Sequence, residues 1–78
     1  MMSKQREDGI EIHKKIKFTY SVYGNNGKYS GGASIYLHYG DASEVVKLEL
    51  NTDYSTLKAA EAAIVNSSKS WIDNKLGN

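Results

Sequence analysis

The 78-residue chain contains no cysteine and no proline, and only one tryptophan and one phenylalanine. Without cysteine there is neither a disulfide framework nor a thiolate metal site, and no signal peptide is recognisable. We therefore expect a cytoplasmic protein of a bacterium or a similar compartment. No apolar run approaches the roughly 20 residues that span a bilayer, so no membrane association is expected. Neither sign of charge dominates: Lys and Arg number 10 against 9 Asp and Glu, a net charge of +1. Such a balance exerts no global pull toward nucleic acid or lipid, and any electrostatic role has to come from how the charges are arranged.

Constellations for chemistry are missing as well. The serines have no base and orienting carboxylate in a glycine-elbow context, and the glycines punctuate turns without forming a phosphate loop. Asp41, Glu44, Asp53 and Asp73 are spread over turns and helix ends, so no carboxylates pair. The expectation is a non-enzyme with no catalytic residues, no cofactor and no metal. A chain of this length forms one domain, whose largest core is a single sheet with a single helix on it.

Tyr54 to Leu76 is the one segment with a helical period. Leu57, Ala60, Ile64, Ser67 and Trp71 fall on one stripe, flanked by Val65, Ser68, Ile72 and Leu76. Ser55 or Thr56 caps its start and Gly77 ends it. Before it the period is two. Ile10, Ile12, Ile16, Phe18, Tyr20 and Val22 share a parity, which predicts one long strand over about 10–23, bent or bulged near Lys14 and Lys15 where the apolar row breaks. Asn26-Gly27 suits a type I′ turn. The returning strand, about 28–39, has Ala33, Ile35, Leu37 and Tyr39 on one face, and Gly31-Gly32 predicts a bulge or a flexible outer end. A four-residue turn at Gly40 to Ser43 leads to a third strand over 44–50, with Val46, Leu48 and Leu50 inward. This register sets Phe18 against Ile35, Leu37 against Val46 and Ile35 against Leu48.

The fold class expected is α+β, a three-stranded antiparallel β-meander with one C-terminal helix packed on one face, β-β-β-α. Residues 1–8 form a flexible N-terminal tail and 9–78 the single domain. Leu57, Ile64 and Trp71 are expected to bury against Ile16, Phe18, Ile35, Leu37, Val46 and Leu48.

From Gly9 onward the chain resembles a family of small uncharacterised bacterial proteins with three strands followed by one helix. The likeness rests on Gly9-Ile10-Glu11-Ile12, Tyr54-Ser55-Thr56, Ala59-Ala60 and Trp71-Ile72-Asp73, with the Tyr54-to-Trp71 spacing the most specific part. The resemblance implies the β-β-β-α fold and a bacterial origin, and carries no activity. A double-stranded RNA-binding domain also ends in three strands and a helix. This chain lacks that domain's N-terminal helix, a histidine in the first hairpin loop and a basic cluster at the final helix start, where only Lys58 stands.

The candidate binding surface is the sheet face that the helix leaves uncovered. The expected register places Lys17 and Lys47 on either side of Tyr36, with Lys15 beside His38 and with Val45 next along. His13 and His38 both point to this open face, but a third ligand is missing and a lysine stands nearby, which opposes a metal. A tyrosine between lysines offers a stacking surface ringed by charge, suited to single-stranded nucleic acid or an acidic partner. The plainer account is a solvated face on which lysine stems cover a tyrosine. Among binding roles, a protein partner or homodimer, through this face or a sheet edge, ranks above nucleic acid.

Overall fold

The structure, a computed structural model, describes residues 5–77. The fold is α+β, with an antiparallel sheet and one C-terminal helix, but the sheet has four strands. β1 (Gln5–His13), β2 (Ile16–Asn25), β3 (Lys28–Tyr39) and β4 (Ala42–Glu49) form a meander in the order β1-β2-β3-β4. α1 (Leu57–Lys75) lies across one face, chiefly over β2 and β3. No helix among the described residues is long and apolar enough to cross a membrane.

The single long strand expected over 10–23 is in fact a hairpin. Lys14 and Lys15 both take positive φ, 52° and 68°, as the central residues of a type I′ turn do, and His13 pairs with Ile16. Across a two-residue turn the partners have opposite parity, so residues of the same parity point to opposite faces. Ile16 and Phe18 turn toward the helix, while Ile10 and Ile12 turn away, 67% and 70% exposed. Gln5–Asp8, expected in the tail, form the outer end of β1. The rest of the expected tail, 1–4, lies outside the described residues.

The β3–β4 turn is also tighter than expected. Gly40, at φ +59°, and Asp41 make a two-residue reversal, so Ile35 pairs with Val46, Ala33 with Leu48 and Leu37 with Glu44. The slip is two residues, so every side chain keeps its expected face while changing its neighbour. The central hairpin follows the expected register: Asn26 and Gly27 have φ of 51° and 73°, and Phe18 pairs with Ile35. Gly31 and Gly32 pair regularly without a bulge. A β-carbon at Gly31 would sit 2.5 Å from the Ser21 carbonyl oxygen, a close approach that only glycine allows.

Buried helix residues recur every fourth position: Ala60, Ile64, Ser68 and Ile72. Ala60 and Ile64 meet Val22, Tyr29 and Ala33, while Ile72 meets Phe18, Ile35 and Leu37. Ser68 is fully buried, and its hydroxyl donates to the Ile64 carbonyl at 2.8 Å, which removes the penalty of burying it. This stripe is rotated from the expected one. Ser67 is exposed, Leu57 is half-buried, and Trp71 is half-buried at the β4 margin. The small Ser68 and Ala60 let the helix axis come close over β2 and β3, and a ring as wide as Trp71's finds room only at the side. Thr56 is the N-cap, its Oγ1 accepting from the Ala59 N–H at 3.0 Å. Gly77, at φ +85°, follows the last turn.

Holding a lysine in the left-handed region costs about 1–2 kcal/mol, set against the lower unfolded-chain entropy that a lysine has relative to glycine. Lys15→Gly is therefore expected to raise the unfolding free energy by about 0.5–1 kcal/mol, while Lys15→Val lowers it. Urea denaturation with an unchanged slope reads both; a loss of stability in Lys15→Gly would exclude the tight turn.

Candidate interaction surface

The uncovered face is built from alternate residues of all four strands, in cross-strand rows set by the register. One row is Ile12, Lys17, Tyr36 and Val45; the next is Ile10, Thr19, Ser34 and Lys47; a third is Asp8, Ser21, Gly32 and Glu49. Lys17 stands opposite Tyr36 as expected, its Nζ 5.3 Å from the ring centroid, a cation–π contact. Lys47 does not flank Tyr36, because the tighter β3–β4 turn moves it opposite Ser34 and brings Val45, 50% exposed, opposite Tyr36. His38 is exposed and pairs with Ser43, while Lys15 is exposed in the turn between β1 and β2.

Ile10 and Ile12, expected to share a face with Ile16 and Phe18, are the apolar side of this surface. The signal that identifies them is the pair of lysines interrupting the apolar row, which fits a reversal as well as a bulge. Small residues leave a shallow hollow of about 220 Å³ lined by Thr19, Ser21, Gly32 and Ser34, with Tyr23, Lys47 and Glu49 around it. A separate groove between β4 and the helix flank is lined by Leu48, Glu49, Asn66, Ser70 and Trp71. Asp8 donates nothing and accepts from Arg6 Nε at 3.0 Å; the Ser21 hydroxyl and then the Arg6 guanidinium hold its carboxyl below the ordinary value of 3.8.

His13 faces the helix, contrary to expectation, because the reversal at Lys14 flips it with the rest of β1. Its Nε2 lies 2.8 Å from Asp73 Oδ1, and Lys14 Nζ lies 2.7 Å from the same oxygen. The lysine occupies the position a cation would take, and no cluster of three or more His, Cys, Asp or Glu that could hold a metal occurs among the described residues. The Lys14 ammonium, followed by the His13 ring, lowers the Asp73 pKa. Lys69 approaches Glu11 at 3.5 Å nearby, so β1 meets the helix through polar pairs.

Tyr20 is the second polar tie. Its ring lies against Gly9, where a β-carbon would come within 2.3 Å of the ring, and its hydroxyl donates to Glu61 Oε2 at 2.8 Å. That hydrogen bond, then burial and the Glu61 charge, pushes the phenol up to about 12. A phenol held so firmly protonated is a fastening and a poor general base at neutral pH.

Comparison with protein-family models, with curated proteins and with solved structures found no match to this chain.

A group whose pKa is raised on folding stabilises fully below its unfolded value, near 10 for tyrosine, and loses that contribution as pH rises through about 12. Of the six tyrosines, Tyr20 is expected to ionise late in an absorbance titration near 295 nm, and Tyr20→Phe to remove that late step. Asp73 has the opposite sign: its contribution is present above 3.8 and is lost as pH falls through the lower folded value. Its carboxyl carbon shift should therefore titrate with a midpoint below 3.8, and the Lys14 amide should follow it unless Asp73 is replaced by Asn.

Proposed function

We propose that the chain is a non-catalytic interaction module whose open sheet face binds a protein partner. The observation that carries this reading is the row Ile12, Lys17, Tyr36, Val45, in which two side chains at least half exposed and apolar flank a cation–π pair. Scattered exposed apolar residues are ordinary on a protein surface. Here Ile10 and Ile12 stand together on β1, and beyond Lys17 on β2 the Tyr36 ring and Val45 continue the row. An aromatic side chain with a cation over its ring and exposed aliphatic side chains at either end of the row is a composition that suits a protein interface.

Single-stranded nucleic acid is the second reading, supported by the Lys17 ammonium over the Tyr36 ring. Lys47 stands away from that ring, and Asp8 and Glu49 share the face, so the surface lacks the continuous basic track that a nucleic-acid backbone requires.

Amine-reactive cross-linking in a cell extract separates the faces, because lysines stand on both. Lys17 and Lys47 lie on the open face, whereas Lys58, Lys69 and Lys75 belong to the helix. Cross-links to protein are expected to concentrate at Lys17 and Lys47 and to vanish in Ile12→Glu. Cross-links confined to the helix lysines would refute the assignment. Selective shifts of Lys17 and Tyr36 amides with a short single strand, abolished by salt, would favour the second reading.

A further inference from the structure

The two edges of the sheet differ in how they are guarded. β1, at one end of the strand order, carries Arg6, Glu7, Asp8 and Glu11, a run of charges that blunts it. β4, at the other end, has eight residues, no proline, and pairs with β3 without a bulge. The Leu50 N–H donates to the Gly31 carbonyl at 2.9 Å, and Gly31 lies opposite it in continuation of the β3–β4 register. The backbone groups of Leu50 therefore point at β3. Because this direction alternates along an antiparallel strand, Leu48 and Val46 also point inward, whereas the N–H and C=O groups of Glu49, Lys47 and Val45 point away from the sheet. Among the described residues no strand pairs with them.

The side chains of this edge are also incompletely matched. Lys47 and Glu49 share the open face, and among the described residues neither has an ion-pair partner. On the other face Val46, Leu48 and Leu50 are only half-buried, because the helix lies chiefly over β2 and β3. Trp71 is half-buried beside them, in the groove between β4 and the helix flank.

We propose that β4 pairs antiparallel with β4 of a second copy, about a two-fold axis normal to the sheet at Leu48. The open face stays uncovered, so the inference goes beyond the reading of that face. Outward backbone groups can bond only to outward groups, which requires the axis to pass through a residue. Centred on Val45 or Val46, it sets Glu44 against Val46 or Leu48 of the second copy. Centred on Lys47 or Glu49, it sets that charge against itself. Centred on Leu48, it sets Lys47 opposite Glu49 and Glu49 opposite Lys47, a square in which each charge has neighbours of opposite sign across the strands and along its own. The same register sets Leu48 against Leu48 and Val46 against Leu50 on the helix side, so each apolar row continues in the other copy. Both helices lie on one side of the joined sheet, and their grooves, each with its Trp71, open toward each other across the Leu48 pair. The paired segment, 46–50, is about 17 Å long and ends where the chain bends at Asn51, a contact small enough to make the dimer weak.

The test is a charge swap on the full chain, read by sedimentation equilibrium up to about 1 mM protomer with circular dichroism as the check on folding. The wild type should be a concentration-dependent dimer. Lys47→Glu makes the square wholly negative and Glu49→Lys wholly positive, so each should dimerise about tenfold more weakly. An equimolar mixture of the two should regain the dimer, and so should the double variant Lys47→Glu, Glu49→Lys, in which opposite signs again meet across the axis. Hydrogen exchange of the wild type gives a second readout: the outward Lys47 and Glu49 amides should gain protection as concentration rises, while those of Val46 and Leu48, bonded to β3, are protected throughout. A wild type monomeric over the whole range would overturn the proposal. A dimer indifferent to the single variants, a folded double variant that stays weakened, or protection gained along β1 instead would overturn it as well. None of these results bears on the open-face reading, which the lysine cross-links to a different protein decide separately.

Discussion

The tight reversal at Lys14 and Lys15 determines the character of both faces of the sheet. Because only two residues intervene, β1 must present to the helix the parity that looks solvent-exposed in sequence, Glu7, Gly9, Glu11 and His13. The isoleucines are left outside. The helix meets β2 and β3 through an apolar core, Phe18, Val22 and Ile35 against Ile64 and Ile72, and meets β1 through the polar pairs His13–Asp73 and Glu11–Lys69. One backbone conformation thus accounts for a polar inner margin and an apolar outer patch.

The α+β class, the antiparallel meander, the helix limits and the central hairpin could be read directly from the residues. Asn26-Gly27 is a turn with few alternatives, and its two-residue length, with the apolar parity of 16–22 and 33–37, sets the register. The first hairpin was hidden because an unbroken parity from Ile10 to Val22 describes equally a single strand and two strands whose apolar residues face opposite ways. Lysine is a poor occupant of positive φ, so no glycine or asparagine marked the turn, and the break in the apolar row fits a bulge equally well. The β3–β4 turn failed differently: a slip of two residues conserves every face, so hydrophobic pattern cannot detect it, yet it separates Lys47 from Tyr36. Of the expected site, Lys17, Tyr36, His38 and Val45 occupy the open face, and the pairing that made Lys47 a flanking group does not form.

Helix rotation shows the same limit at finer scale. Stripes centred on Ser67 and on Ser68 differ by about 100° of helix rotation, and the apolar residues alone fit either. The deciding factor is volume: the line of closest approach carries Ala60 and Ser68, and the largest side chain, Trp71, moves to the flank.

The tie between Tyr20, Gly9 and Glu61 also bears on how the molecule opens. β1 adds almost no apolar burial on its helix side, so its retention depends on the ladder to β2 and on polar contacts of Gln5, Glu11 and His13 that are individually weak and partly exposed. A strand held in this way is expected to open at a lower free energy than the β2–β3–α1 body, in which Phe18 and Ile35 are packed under the helix. Detachment releases the Tyr20 ring from its glycine and frees the outer hydrogen-bonding edge of β2. An opened β1 would leave the β2 edge able to accept a strand, and the same ladder would form if that strand came from another copy.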